Sequence, residues 1–497
     1  MNMPLRPAER EAITIQLEQL DTTLSDISFE EYQLNQRIAS LHFQRRQIQY
    51  EKARILNTAN SPCHALPNEL LSQIFALAAG TSASIIAQQR VNIVAQVCHR
   101  FRIAAVATPS LWTYIDMAEG PPYKKSEVHI ERSGACPLTV NIDLQERKFA
   151  YFEEIFICKI LMPQVHRCRS FHLSVNQIEP MKAILPSFAS NPAPYLEKFE
   201  VFYFGDDGDD FKWTQSEGSI ETLAFGGKAP QLKSLTISGI HPPWNRFTID
   251  GLLELGFDFH SSNISLSSRN FLDIISSSPL LERLTVMQGG SNLRLQAEDS
   301  NGNPTKSLPT IQLPFLRDLV HTFTETDLAC DIFRAISTPN LRSLTMEYIK
   351  NDCAALLELM CGPPLLSREL SHLRLVGLSS IGAGRMLAFL RTVAVHVTTF
   401  HINAVNCPTL KEIPFLLRWM ALERREYLLP KLEELISEGL TPRNLREMVQ
   451  SRPTDQRPRK ITMRRRDCVI KDDENMKWLR SNINLNLVEG SSDDEED

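Results

Sequence analysis

Three hydrophobic rhythms follow one another along the chain. From about Pro7 to Asn57, aliphatic residues recur every seven positions: Ile13, Leu20, Ile27, Leu34, Leu41, Ile48 and Ile55. Their heptad companions are Arg10, Leu17, Leu24, Glu31, Ile38, Arg45 and Lys52, of which only three are apolar. A seven-residue repeat held this long predicts a helix with a coiled-coil seam, weakened by its charged positions. Two outcomes fit the pattern. The helix self-associates, or Ser28-Phe29-Glu30-Glu31, which has capping-box spacing, starts a second helix and the leader folds back on itself or on the rest of the chain.

The second rhythm is helical but short. Leu66, Leu70, Leu71, Ile74, Phe75 and Ala78 mark one apolar stripe, with Pro67 suited to a first turn and Gly80 to a stop. Val91, Val94, Cys98, Phe101 and Ala105 mark a second stripe, ended by Pro109. Such a small segment makes only a marginal core, and apolar residues on more than one helix face need a partner surface.

The third rhythm alternates. Pro194-Tyr195-Leu196-Glu197-Lys198-Phe199 is matched by segments starting at Pro230, Pro279, Pro314, Pro339, Pro408 and Pro430, each with two polar residues between apolar ones. Copies without proline start at Cys168 and Leu370. Short helical stripes such as Leu272 and Ile275, or Leu328, Ile332 and Ile336, precede several copies. The form Leu-x-x-Leu-x-Leu with a helix between copies is the mark of a leucine-rich repeat, whose strand leucines point inward under the helix. Lys460-Ile461-Thr462-Met463-Arg464 predicts a strand with one basic face, and the cluster from Arg457 to Arg466 reads either as that solvated face or as a nuclear-import signal. Met476 with Leu479, and Leu485 with Leu487, predict a last helix and strand.

The segment from Leu66 to Trp112 resembles the F-box. The resemblance is carried by Leu66-Pro67-Asn68-Glu69-Leu70, Ile74-Phe75, Val97-Cys98-His99-Arg100-Phe101-Arg102 and Pro109-Ser110-Leu111-Trp112, in the family's order. The small, polar link from Thr81 to Gln89 departs from the leucine-rich form usual there. The expected fold is multidomain: a coiled-coil helix over 1–60, a small all-α F-box module over 61–117, an irregular α/β leucine-rich-repeat-like solenoid over 118–490, and a disordered acidic tail over 491–497. The layout is similar to that of fungal F-box proteins with an N-terminal coiled coil. It implies the substrate-receptor subunit of a cullin–RING ubiquitin ligase, which binds a Skp-type adaptor, reaches a cullin through it, and holds a protein substrate. The rival reading is a scaffold outside ubiquitin transfer. The family's adaptor contacts fall on Leu66, Pro67, Ile74, Phe75, Val97, Cys98, Leu111 and Trp112. In a strand, neighbours alternate faces, so where Phe199, Leu235, Leu284, Leu344 and Leu373 point in, Glu200, Phe202, Thr236, Ser238, Thr285, Met287, Thr345, Glu347 and Arg374 form a candidate substrate face.

Composition adds mainly exclusions. A net charge of −6 argues against general nucleic-acid binding. No apolar window has the length of a membrane span, and Arg6, Glu9 and Arg10 stand where a secretory signal would be apolar. The scattered cysteines read as reduced thiols of a cytoplasmic or nuclear protein. Catalytic motifs are missing: there is no His-Glu-x-x-His, Walker loop or Gly-x-Ser-x-Gly. Asp206 to Glu217 has calcium-loop end positions but Phe211 where glycine is required, and Cys353 and Cys361 lack partners at zinc spacing. The reading is a non-catalytic chain with no cofactor and no metal.

Overall fold

The computed structural model describes residues 7–60, 63, 66–80, 84–145, 152–205, 211–212, 229–241, 250–258, 268–287, 297–298, 304–305, 310–322, 326–348, 353–362, 369–378, 382–405, 407–421, 427–467 and 474–488. The acidic tail, the calcium-like loop apart from Phe211 and Lys212, and most of the long inter-repeat loops lie outside these. The chain divides into two compact units, Met1–Ala79 with Asn92–Val106, and Gly80–Val91 with Ala107–Asp497.

In the first unit the leader is one continuous helix, α1 (Pro7–Asn60). The internal hairpin that starts at Ser28 is not formed: Ser28 Oγ donates instead to Leu24 O at 2.8 Å, one turn back within the helix. Every side chain from Ile13 to Leu56 is exposed. Helix α2 (Asn68–Ala79) buries Leu71 and Phe75. The second predicted stripe is two helices and not one, α3 (Ile85–Val97), of which the residues from Asn92 on fall in this unit, and α4 (His99–Val106). Cys98 sits at the break, and its Sγ accepts from Phe101 N at 3.4 Å as an N-cap would. The Phe75 and Phe101 rings meet at 5.0 Å, joining α2 to α4.

The second unit is an α/β solenoid built on one fourteen-stranded parallel sheet whose strands follow chain order. The strands are β1 (Tyr114–Asp116), β2 (Leu138–Asp143), β3 (Cys168–Val175), β4 (Lys198–Tyr203), β5 (Ser234–Ser238), β6 (Glu254–Asp258) and β7 (Arg283–Met287). They continue as β8 (Asp318–Thr322), β9 (Ser343–Glu347), β10 (His372–Val376), β11 (Thr399–Asn403), β12 (Glu434–Glu438), β13 (Lys460–Arg464) and β14 (Asn484–Val488). Between them run α5 (Lys124–Arg132), α6 (Glu153–Leu161), α7 (Ile178–Ser190), α8 (Ser268–Ser276), α9 (Thr326–Ala335), α10 (Ala354–Met360), α11 (Ala383–Val393), α12 (Pro408–Trp419), α13 (Pro442–Gln450) and α14 (Glu474–Asn482). The sheet begins at Tyr114, and Gly120-Pro121-Pro122 lies between β1 and α5.

The repeats bury the apolar positions of the motif: Leu316 and Leu319 of the β8 repeat, and Leu341, Leu344 and Met346 of the β9 repeat, are fully buried. A backbone ladder fixes the stacking. At the start of each strand from β5 to β13, two successive N–H groups donate to one carbonyl of the preceding repeat, as Lys233 and Ser234 do to Glu197 O at 2.9 and 3.0 Å. The same bond pair recurs at Glu433 and Glu434, which donate to Thr398 O at 2.8 and 3.0 Å. A one-residue slip would break the ladder and turn every leucine outward.

Two repeats differ from the sequence reading. The segment at Pro408 is helix α12, with Pro408 in its first turn and Leu410, Ile413 and Leu417 buried at helical spacing. The strand of that repeat is β11, which carries His401. A further copy, Leu252-Leu253-Glu254-Leu255-Gly256-Phe257, supplies β6 and buries Leu252, Leu255 and Phe257.

Candidate protein-docking surfaces

The F-box-like residues divide into supports and surface. In the first unit, Arg100 of α4 donates to Cys63 O at 3.2 Å, to Leu66 O, and to Asn68 Oδ1 at 3.5 Å, which pins the chain where it enters α2. Pro67 is exposed and Leu66 half-buried beside that anchor. Phe75 is buried. Around this small core, large apolar side chains remain uncovered: Ile74 (46% exposed) and Leu77 (79%) on α2, Ile93 (64%) and Val97 (62%) on α3, and Ile103 on α4. Of the residues assigned by resemblance, Pro67, Ile74 and Val97 therefore lie on the surface, Leu66 and Cys98 lie half inside, and Phe75 supports from beneath. Leu77, Ile93 and Ile103 were missed, although the apolar residues on more than one helix face signalled an uncovered surface of this kind.

Leu111 and Trp112 belong to the second unit and are buried there. The Trp112 indole receives the Arg132 guanidinium 4.5 Å from its ring centre and the edge of His129 at 5.0 Å, both from α5. Gln88 Nε2 lies 2.9 Å from His129 Nδ1 and donates to Tyr114 O at 3.1 Å. Burial pushes the His129 pKa down, against the upward pull of its contact with Tyr114. These groups pack at the first end of the sheet, beside β1.

The outward strand positions form continuous rows across the sheet. Phe199, Leu235, Leu284, Leu344 and Leu373 are buried. Glu200, Phe202, Thr236, Thr285, Met287, Thr345 and Glu347 are half-buried on the opposite face, and Arg374 is exposed. Ser238 is the one fully buried member, and it donates to Asp258 Oδ2 at 2.9 Å. Register places Glu200 beside Thr236, and Thr345 beside Arg374. The rows also pass through residues that the sequence reading did not name: Gly256 lies between Thr236 and Thr285 and Val320 between Thr285 and Thr345 in one row, and Asp258 lies between Ser238 and Met287 and Thr322 between Met287 and Glu347 in the next.

Two stretches of this face have distinct chemistry. On β4, Phe202 stacks parallel to Phe204 at 6.2 Å and meets His172 of β3 at 5.3 Å. Burial opposes ionisation of Glu200, yet His172 at 3.4 Å and Lys198 at 2.8 Å outweigh it and hold its pKa below the usual range. Toward the other end, Glu438 gathers polar partners: His401 Nε2 lies 2.9 Å from Oε1, and Asn403 Nδ2 and Arg464 Nη2 each lie 2.8 Å from Oε2. Those partners overcome the burial that works against its charge, and its pKa falls. Glu347 goes the other way: burial, with help from the Glu438 charge, raises its pKa against Arg374 and His401. His401, Glu438 and Arg464 extend the candidate face beyond Arg374, and the strand phase reaches them once β11 is placed correctly.

Lys460 pairs with Glu434 at 2.7 Å, so the basic strand face of β13 meets an acidic neighbour on β12. Among the described residues no helix is long and apolar enough to cross a membrane.

Residues 63–118 match the model of the F-box-like family. Among solved structures, this chain is similar to the leucine-rich repeat-containing protein LegL7 from Legionella pneumophila, with 14% identity and a TM-score of 0.37 over 69% of this chain and 97% of that one. No curated protein matches. An F-box-like region thus precedes an α/β solenoid of leucine-rich-repeat form.

Proposed function

We propose that the chain is the substrate-receptor subunit of an SCF-type cullin–RING ubiquitin ligase, working in the cytoplasm or nucleus. Its F-box helices dock on a Skp-type adaptor, the adaptor reaches a cullin, and the outward strand face holds a protein substrate. Rate enhancement in such an assembly comes from proximity, because a held substrate presents its lysines to the charged enzyme at high effective concentration. The observation that carries this reading is the set of uncovered apolar side chains, Ile74, Leu77, Ile93, Val97 and Ile103, inside the stretch that matches the F-box-like family. F-box domains generally bind Skp-type adaptors, and a surface of that kind is costly to leave in water.

The test is retention of the purified full chain on an immobilised Skp-type adaptor. Ile74→Asp with Leu77→Asp puts two carboxylates on an exposed face, so the fold should tolerate it. In a dry interface each charge costs several kcal/mol, so retention should fall at least about a hundredfold. Retention of the variant at the wild-type level would refute the docking assignment. A wild-type chain that fails to bind would favour the second reading, a scaffold outside ubiquitin transfer, for which the uncovered apolar length of α1 speaks.

A further inference from the structure

Helix α1 carries one unbroken apolar line, and its charges are sorted by half. Ile13, Leu20, Ile27, Leu34, Leu41, Ile48 and Ile55 are all exposed. The opposite line of Ile15, Phe29, Phe43 and Tyr50 is interrupted by Thr22 and Gln36 and offers no continuous seam. From Ile13 to Gln33 the helix has five acidic residues and no Lys or Arg. From Leu34 to Leu56 it has five Lys or Arg residues and one acidic residue. A parallel pair would lay acid on acid and base on base. It would also stack Glu31, Arg45 and Lys52, which share the seam, each on its own copy.

We propose that α1 pairs with α1 of a second copy of this chain in the antiparallel sense, with Glu31 facing Leu34 of that copy. Seam layers in an antiparallel pair join the two heptad positions crosswise, so each charged seam residue meets an aliphatic one. Arg45 faces Leu20 and Lys52 faces Ile13, and their long stems cover apolar surface while the charges reach water. Leu17 with Ile48, Leu24 with Leu41, and Ile27 with Ile38 make wholly aliphatic layers, each formed twice.

The flanks select the register. Glu30 of each copy lies beside Arg37 of the other, and Asp21 beside His42. A slide of one heptad in one direction sets Arg37 against Arg37, and in the other direction Glu30 against Glu30. The favoured register has its twofold point between Tyr32 and Gln33, one residue from the midpoint of the 54-residue helix, so the pair overlaps nearly end to end.

The experiment is sedimentation equilibrium of the full chain. The wild type should have the mass of two chains. Glu30→Arg alone creates two Arg–Arg contacts, and Arg37→Glu alone creates two Glu–Glu contacts. Each should raise the dissociation constant by about tenfold or more, taking an exposed charge pair as worth up to ~1 kcal/mol. Glu30→Arg combined with Arg37→Glu exchanges the partners and should restore the wild-type constant. In a parallel pair Glu30 flanks Asn35 and Arg37 flanks His42, so the single changes would do little and the double change would rescue nothing. A single-chain mass for the wild type, or indifference to the single changes, would overturn the proposal. Because α1 is exposed along its length, none of these substitutions should alter the melting of the solenoid, which serves as the control.

Discussion

His321 occupies an inward position of β8 that its register neighbours fill with Val286 and Met346. Its Nδ1 lies 2.8 Å from the Tyr348 hydroxyl, its ring stacks on Tyr348 at 6.0 Å, and its Nε2 has no hydrogen-bond partner among the described residues. Burial pushes its pKa down to about 4, so the folded chain keeps the ring neutral. An unfolded histidine titrates near 6.5. Above that pH both states hold the neutral ring and nothing is lost. Between about 6.5 and 4 the unfolded chain takes up a proton that the folded chain refuses, and stability falls by roughly 2–3 kcal/mol over the window. His321→Gln should start less stable but lose less between pH 7 and 4.5 in urea titrations. Equal pH slopes for both proteins would show that His321 is not the group responsible. The sequence made the position legible, because strand phase sends His321 inward with Leu319. It could not supply Tyr348, which the fold brings from the following repeat. The F-box motif has the same limit: its residues come without a label for inside or outside. Trp112 anchors the sheet's first end and Ile74 faces water, and only packing tells them apart.

At the scale of elements, period and punctuation located most strands and helices, and failed where one pattern serves two structures. Pro408-Thr409-Leu410-Lys411-Glu412-Ile413 satisfies both the strand motif and a helix with proline in its first turn. The continuation Leu416, Leu417 and Met420 is helical and settles the matter. The copy that forms β6 escaped because it lacks the proline and carries Gly256 where other copies have a side chain. An added Cβ there would lie 3.1 Å from Thr236 Cγ2, and so the glycine lets β5 and β6 sit close with a notch between Thr236 and Thr285. On β4, β5, β7, β9 and β10 the inward residues Phe199, Leu235, Leu284, Leu344 and Leu373 are buried and the outward ones that the sequence reading named, Ser238 apart, are not, which gives the sheet face a test. Phe202 and Met287 are half-buried, so Phe202→Ala with Met287→Ala removes apolar area from the outward rows without opening the core. The pair should cost about 1–2 kcal/mol of stability, well below the roughly 2–5 kcal/mol of one fully buried leucine truncated to alanine. Adaptor retention should be unchanged, while capture of a substrate held on this face should fall at least tenfold. A loss of stability on the buried-leucine scale would instead place both side chains in the core.

At the scale of the molecule, a solenoid and a pairing helix serve different ends. Repeats stack through nearest neighbours, so the solenoid gains length and binding surface without gaining valence. A helix that pairs two chains doubles the valence of every other surface, and two linked sites hold a divalent target far better than either alone. The antiparallel sense has a consequence in which the two chains report on each other. If α1 joins two copies, a chain that cannot bind the adaptor should still be held on adaptor beads by one that can. Equal amounts of wild-type chain and of the Ile74→Asp, Leu77→Asp chain, distinguishable by tag, are separated from their pairs by dilution, mixed and concentrated. Adaptor beads should then retain the defective chain through its wild-type partner, at roughly half the amount of wild type, because half of the pairs that form are mixed and pairs of two defective chains wash away. Placing Glu30→Arg on the defective chain sets the new guanidinium against Arg37 of the wild-type helix, and retention should drop by several-fold. Adding Glu30→Arg to the other chain as well cannot rescue it. Arg37→Glu on the wild-type partner should, since the new carboxylate then faces the new guanidinium. Rescue by that specific exchange requires the two helices to run in opposite directions. Retention that ignores the charges on α1 would mean that the chains meet elsewhere.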